Sequence, residues 1–162
     1  MNGHTAYLLL GTNVGDRQQH LQHGLEKIKT TAGDFQQVSS VYETEPWGVV
    51  NQDDYLNMVV EIKTFFSPEE LFKQLKAIET AEGRTDATKY APRTLDIDVL
   101  FYDDLVLESE YLIIPHPRLH LRRFVLKPLE EIAASLIHPL LGKSIRELLK
   151  ECGDYKNVRR VF

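Results

Sequence analysis

Residues 91–101 read Ala-Pro-Arg-Thr-Leu-Asp-Ile-Asp-Val-Leu-Phe, a basic turn that runs into an apolar strand carrying two carboxylates. Side chains alternate between the two faces of a strand. One face is therefore predicted to carry the apolar side chains, those of Leu95, Ile97, Val99 and Phe101. Asp96 and Asp98 then share the opposite face, where residues two apart lie about 7 Å from each other at Cα.

Two carboxylates on one strand face can converge on a pair of divalent metal ions, which lie about 3.5 to 4 Å apart in two-metal sites. Arg93 precedes Asp96 by three residues and can oppose the carboxylates across a bound polyanion. A cation, two carboxylates and a rigid backbone are what metal-assisted phosphoryl chemistry requires. The other interpretation is an ordinary solvated outer face, which is the more common meaning of an Asp-x-Asp triplet taken alone.

The composition, 43% hydrophobic and 27% charged residues, fits one compact domain over residues 1–162. No run of about 18 apolar residues is present, so no membrane-spanning helix is expected, and residues 1–10 are too short for a signal peptide. We therefore expect a soluble, cytoplasmic protein. Cys152 is the single cysteine, which excludes an internal disulfide and offers no cysteine metal cluster.

The net charge of -5 argues against a general nucleic-acid binder and against a membrane-surface protein, because both usually present a basic face. Local charge is distributed differently. Cations are concentrated in one part of the chain, at Arg84, Lys89, Arg93, Arg118, Arg122 and Arg123. This asymmetry favours a small polyphosphate as the ligand rather than a long duplex.

Hydrophobic periodicity and turn signals predict the order strand, helix, strand, strand, helix, strand, followed by further helices. Predicted strands cover 4–10, 35–43, 55–65 and 95–101, with short extended pieces at 105–107 and 111–114; predicted helices run from Asp16 to Gly33, from Ser67 to Gly83, and over 128–134 and 144–152. This order is typical of an α+β fold, a ferredoxin-like α/β sandwich with added C-terminal helices. We expect a mobile loop at 84–92 and a frayed tail from Gly153.

Motifs spread along most of the chain resemble the 6-hydroxymethyl-7,8-dihydropterin pyrophosphokinase family of folate biosynthesis. They lie at residues 11–13, 42–48, 54–57, 83–84, 92–98 and 115–118, of which Pro-Arg-Thr-Leu-Asp-Ile-Asp is the most diagnostic. The resemblance implies transfer of a pyrophosphoryl group from ATP to the pterin hydroxymethyl oxygen, with release of AMP. It also implies two Mg2+ ions, with ATP and the pterin as small-molecule partners.

The same resemblance implies roles for individual residues. Asp96 and Asp98 match the metal ligands, and Arg84 and Arg93 match the arginines that clamp the phosphates. Further ATP contacts are implied for Lys89, His116 and Arg122. Pterin contacts are implied for Thr44, Glu45 and Trp47, mainly through the backbone, and for Tyr55, Asn57 and the stacking ring of Phe124, with Gly11 and Asn13 as floor and support.

The chain departs from the family pattern between Arg84 and Arg93. Asp86 stands where the family commonly has a second arginine, and Lys89-Tyr90-Ala91 replaces Arg-Trp-Gly. Two other function classes remain open at this point. A different two-metal enzyme on the same topology, such as a nucleotidyltransferase, would release pyrophosphate rather than AMP, and a non-catalytic ligand-binding module would bind a nucleotide without turnover.

Overall fold

A six-stranded antiparallel sheet forms the centre of the protein in a computed structural model that describes residues 3–45, 53–83 and 94–162. Its strands are β1 (His4–Thr12), β2 (Asp34–Val38), β3 (Tyr42–Thr44), β4 (Tyr55–Thr64), β5 (Asp96–Tyr102) and β8 (Arg159–Arg160), and the two strands β6 (Leu107–Glu108) and β7 (Ile113–Ile114) pair separately. The order across the main sheet is β5-β1-β4-β3-β8, with β2 also paired to β4. Strand β5 therefore lies at one end of this order.

The helices are α1 (Arg17–Thr31), α2 (Pro68–Ala81), α3 (Arg123–Ala133) and α4 (Ile145–Glu151), with a 3-10 turn at Leu119–Leu121. The start of α2 follows the sequence signal. The Ser67 side chain accepts from the backbone N–H of Glu70, and the Glu70 side chain accepts from the backbone N–H of Ser67. With Pro68 in the first turn, this capping box fixes where the helix begins.

Both faces of the sheet are covered, so its inner strands are apolar on both sides. In β1, Leu8 and Leu10 face a core shared with α1 and α2, whereas Leu9 faces a second core under α3 and α4. In β4, Val60 faces the first of these cores and Val59 faces the second. The predicted ferredoxin-like sandwich with added C-terminal helices is confirmed.

A bulge in β5 corrects one part of the predicted strand. Tyr7 pairs with Phe101 and Leu8 with Val99, so Leu100 has no partner in β1. The extra residue turns Phe101 into the core under α3, whereas it was predicted to share a face with Ile97. The carbonyl of Leu100 accepts instead from the backbone N–H of His116, at 3.0 Å.

Several element boundaries also differ from prediction, three of them substantially. The strand predicted at 35–43 is two strands. The Ser39 N–H still donates to the Val59 carbonyl, but the N–H of Val59 donates to the Ser39 hydroxyl instead of a backbone carbonyl, which ends the regular ladder. Helix α3 begins at Arg123 and holds Pro128 internally, because burial of its apolar face outweighs the lost backbone donor. The tail predicted to fray pairs through β8 with β3.

Candidate active site

Four strands place one residue each in a row across the sheet, on the face that α3 and α4 cover only in part. Asp96 of β5 pairs with Gly11 of β1, Gly11 pairs with Asn57 of β4, and Asn57 pairs with Tyr42 of β3. Neighbouring strands lie about 4.8 Å apart, so the Asp96 backbone is about 10 Å from that of Asn57. Asp98 lies beside Leu9, on the same face as Asp96.

Asp98 is crowded by negative charge. Burial, followed by the neighbouring Asp96 and Glu79 carboxylates, raises the pKa of Asp98 to about 7, although Lys76 and Arg122 act in the opposite direction. A raised carboxyl pKa means that the ionised form is unfavourable there without a cation. This donor set fits a bound divalent metal.

Glu79 was not singled out in the sequence, yet it is 1% exposed and lies against the outer edge of β5. Its Oε2 accepts from the backbone N–H of Ile97 at 2.6 Å, between the two aspartates, and its Oε1 is 3.2 Å from Lys76 Nζ. The signal was present, because Glu79 continues the i, i+4 stripe of Leu71 and Leu75 on α2. It thus belongs to the buried face of the helix.

Arg122 stands between the end of the 3-10 turn and the start of α3. Burial lowers its pKa, as does Arg118, whereas Asp98 and Asp96 act to raise it. Its guanidinium carbon lies 5.7 Å from the ring centroid of Phe124. The structure therefore brings Arg122 into the field of both carboxylates and next to Phe124.

His116 is half-buried beside the same arginines. Its Nδ1 accepts a hydrogen bond from the backbone N–H of Arg118 at 3.2 Å, which assigns the proton of the neutral ring to Nε2. Burial, followed by Arg122 and Arg118, lowers the pKa of His116 to about 4. At neutral pH it is therefore an uncharged donor through Nε2.

We expect an NMR titration of the imidazole Cε1–H of His116 to show no protonation step between pH 8 and about 5. The folded ring should take up its proton only near pH 4, because burial and two guanidinium groups oppose a positive charge there. In the unfolded chain the ring takes up its proton near the ordinary histidine pKa of about 6.5. The folded protein should therefore lose stability through His116 as the pH falls from about 6.5 to 4. A titration midpoint above pH 6 would contradict this.

Asn57 supplies an unused donor at the centre of the row. The residue is 3% exposed, and its Nδ2 has no hydrogen-bond partner. Its amide lies over the backbone of Gly11, where an added Cβ would stand 2.7 Å from Asn57 Oδ1. Gly11 therefore leaves the space in which the Asn57 amide lies.

For the pterin that the resemblance implies, Gly11→Ala is expected to weaken binding about tenfold, because the new methyl group must displace the Asn57 amide from its place in the row. Affinity for a non-reactive ATP analogue should stay within about twofold. Calorimetric titration of each ligand measures both. Unchanged pterin affinity, in a variant that melts like the parent protein, would show that the amide position does not matter.

The remaining residues implied for the pterin lie around the end of β3. Thr44 pairs with Tyr55 and is buried, with its hydroxyl donating to the carbonyl of Asn157 at 3.3 Å, whereas Glu45 is exposed. Asn13 is buried, and its Nδ2 donates to the Asp53 carbonyl at 3.5 Å. The predicted residues Trp47, Arg84, Asp86, Lys89, Tyr90, Ala91 and Arg93, together with the predicted mobile loop, lie outside the described residues.

Within the described ranges, no group of three or more histidine, cysteine, aspartate or glutamate side chains has the arrangement of a metal site. At Asp96 and Asp98, Mg2+ would share its coordination with substrate oxygens and water, as it commonly does. Among the same residues, none of the helices has the length and apolar character needed to cross a membrane.

Comparisons with known proteins agree with these observations. A family model described as 7,8-dihydro-6-hydroxymethylpterin-pyrophosphokinase matches residues 7–134. The 2-amino-4-hydroxy-6-hydroxymethyldihydropteridine pyrophosphokinase of Aquifex aeolicus is 40% identical over 147 residues, which cover 91% of each chain. The protein of the same name from Bacillus subtilis is 44% identical over 128 residues, covering 78% of this chain and 77% of its own.

Solved structures of HPPK-DHPS from Plasmodium falciparum share the fold. The wild type with pteroate has a TM-score of 0.79 at 18% identity, and a triple mutant with pteroate has 0.76 at 19%. This chain is covered over 93% and 92% of its length but spans only 45% and 41% of those chains. At this level of identity the likeness shows the fold alone.

Proposed function

Because the chain belongs to the 7,8-dihydro-6-hydroxymethylpterin-pyrophosphokinase family, we propose that it transfers a pyrophosphoryl group from ATP to 6-hydroxymethyl-7,8-dihydropterin, releasing AMP, in folate synthesis. ATP is the co-substrate, and the acceptor is the hydroxymethyl oxygen of the pterin. The observation that carries the proposal is the row across the sheet, which has a buried, unpartnered amide at Asn57 and carboxylates about 10 Å away.

The row of residues offers a partner to each end of the pterin substrate. A pterin is a flat bicyclic ring with a polar edge at one end and the hydroxymethyl arm at the other. Asn57 offers a donor and an acceptor to the ring edge, and Phe124, beside Arg122, offers a stacking face. The hydroxymethyl arm then points toward Asp96 and Asp98, where the transferred group must lie.

Asp96 and Asp98 would hold two Mg2+ ions. The fit rests on the donor set: two carboxylates on one strand face, with the Glu79 carboxylate behind them and a raised pKa at Asp98. When bound, the ions would neutralise ATP phosphate oxygens and stabilise the charge that develops during transfer. Glu79 holds the N–H of Ile97, which fixes the strand between the two ligands.

The cationic and polar side chains position ATP. Arg122 supplies a charge-assisted donor to a phosphate, and neutral His116 donates through Nε2. By resemblance, Arg84, Lys89 and Arg93 bind further phosphate oxygens, and Thr44, Glu45 and Trp47 contact the pterin. No general base is required, because a loose phosphoryl-transfer transition state depends mainly on positioning and electrostatics.

The test is the product balance with ATP, Mg2+ and 6-hydroxymethyl-7,8-dihydropterin. Chromatography should find AMP and the pyrophosphorylated pterin in equal amounts, and no AMP when the pterin is left out. Free pyrophosphate as the product would favour the nucleotidyltransferase alternative. ATP binding with no product would favour a non-catalytic module.

The location and extent of the activity belong to the same proposal. We assign catalysis to a single domain over residues 1–162 and expect it to act in the cytoplasm, where its co-substrate ATP is available. Activity of this stretch expressed alone would support the domain assignment. Loss of activity in a protein that still folds would contradict it.

A further inference from the structure

The C-terminal segment lies against the wall of the proposed pterin pocket. Strand β8 pairs with β3, and beyond it the Val41 backbone exchanges hydrogen bonds with Val161 and Phe162. The carbonyl of Asn157 accepts from the buried hydroxyl of Thr44 at 3.3 Å. The free edge of β3 is thus covered by the end of the chain.

Charged side chains reinforce this contact around Glu43. The Glu43 carboxylate is bound from two sides, by Arg159 Nη2 at 2.6 Å on Oε1 and by Arg17 Nη1 at 2.8 Å on Oε2. Arg159 also lies 3.7 Å from Asp54 Oδ2, and Arg17 donates to the Asp54 carbonyl at 2.8 Å. Glu43 is partly buried, with 18% of its side chain exposed, which limits solvent screening.

Glu43 in β3 and Asp54 just before β4 lie on either side of one residue pair of these antiparallel strands. Glu43 directly precedes Thr44, and Asp54 directly precedes Tyr55, and Thr44 and Tyr55 are paired across β3 and β4. Short strands with few ladder bonds are weakly held on their own, and β3 has three residues. Because Arg159 contacts both Glu43 and Asp54, it holds the paired ends of β3 and β4 in a fixed position relative to Asn57.

We infer that the Arg159 side chain is a positioning element for the pterin side of the active site. This inference rests on the proposed function. Arg159 does not touch substrate; it acts through Glu43 and Asp54 on the backbone of Thr44 and Tyr55. On the ATP side, Asp96 and Asp98 lie in β5 at the other end of the sheet order, and ATP binding should not respond.

The test compares Arg159→Ala with Arg160→Ala. Both variants remove one exposed arginine from the same short strand, but Arg160 acts electrostatically on Tyr42 and Glu131. We expect Arg159→Ala to raise the KM for the pterin about threefold to fivefold, with kcat and the KM for ATP within about twofold. Arg160→Ala should change none of these constants by more than about twofold, and Arg159→Lys should recover part of the loss.

Two further measurements keep the result interpretable. The melting temperature of each variant shows whether the fold is intact, and calorimetric titration of the pterin beside a non-reactive ATP analogue reports affinity without turnover. Equal pterin constants in wild type and Arg159→Ala, or an equal rise for ATP, would overturn the inference while leaving the function standing. A wild type that turns over no pterin and binds none would overturn both.

Discussion

Asp98→Asn is expected to lower the rate of pyrophosphoryl transfer about a thousandfold and, at neutral pH without metal, to make the protein more stable. The loss of rate follows from the loss of a metal ligand. A bound metal contributes several kcal/mol of charge stabilisation to such a transition state, and each 1.4 kcal/mol is about a factor of ten in rate. Asparagine keeps the shape of the side chain, so the loss reports charge and ligation rather than packing.

The gain in stability follows from the raised pKa of Asp98, about 7 against an ordinary value of 3.8. Between these values the folded protein keeps a proton on Asp98 that the unfolded chain releases. Stability that depends on Asp98 is therefore lost as the pH rises from about 4 to about 7, and it stays low above that. Asparagine never ionises, so the variant should gain on the order of 1 to 2 kcal/mol above pH 7, discounted for partial exposure, and nothing near pH 4.

Urea denaturation at several pH values measures the gain, and AMP formation at saturating Mg2+ measures the rate. Mg2+ should stabilise the wild type and have little effect on Asp98→Asn. Asp104→Asn, which alters an exposed turn residue on the same segment, is the matched control and should change neither quantity. Near-normal turnover in Asp98→Asn would remove the metal assignment, and a stability gain independent of pH would remove its electrostatic explanation.

Asn57→Ala is expected to weaken pterin binding about a hundredfold and to leave the affinity for an ATP analogue unchanged. The buried amide would otherwise pair with the ring edge, and losing two such hydrogen bonds costs about 1 to 3 kcal/mol for each group left unpaired. The substitution should cost the folded protein little stability, because Asn57 Nδ2 makes no hydrogen bond within the protein. The variant should therefore fold normally.

Fluorescence or calorimetric titration with the pterin measures the affinity, in the presence of a non-reactive ATP analogue. Asn157→Ala is the matched control, since its exposed side chain is removed while the carbonyl that Thr44 contacts is kept. Gly11→Ala should reduce pterin affinity less than Asn57→Ala does, because it displaces the Asn57 amide whereas Asn57→Ala removes it. Pterin affinity that survives in Asn57→Ala would place the ring edge elsewhere.

Several features of the site could be predicted because they depend only on local spacing. Asp96 and Asp98 share a face because alternation in a strand acts over two residues, ahead of the bulge at Leu100. The start of α2 was readable for the same reason, since Ser67, Pro68 and Glu70 satisfy each other within one turn. The ATP contacts of His116 and Arg122 were implied by the resemblance and stay predictions; the structure places both side chains where the Asp96 carboxylate influences their pKa.

By itself, the sequence determined the shared face of Asp96 and Asp98 and the starts of α1, α2 and α4, but neither the face of Phe101 beyond the bulge nor the start of α3 at Arg123. Tertiary structure decided which residues meet: the register that aligns Asp96, Gly11 and Asn57, the Glu79 contact with β5, and the docking of β8 on β3. The physical reason is that alternation and capping are satisfied within a few residues of chain. Register and the pairing of distant charges depend instead on how the whole sheet packs between its two layers of helices.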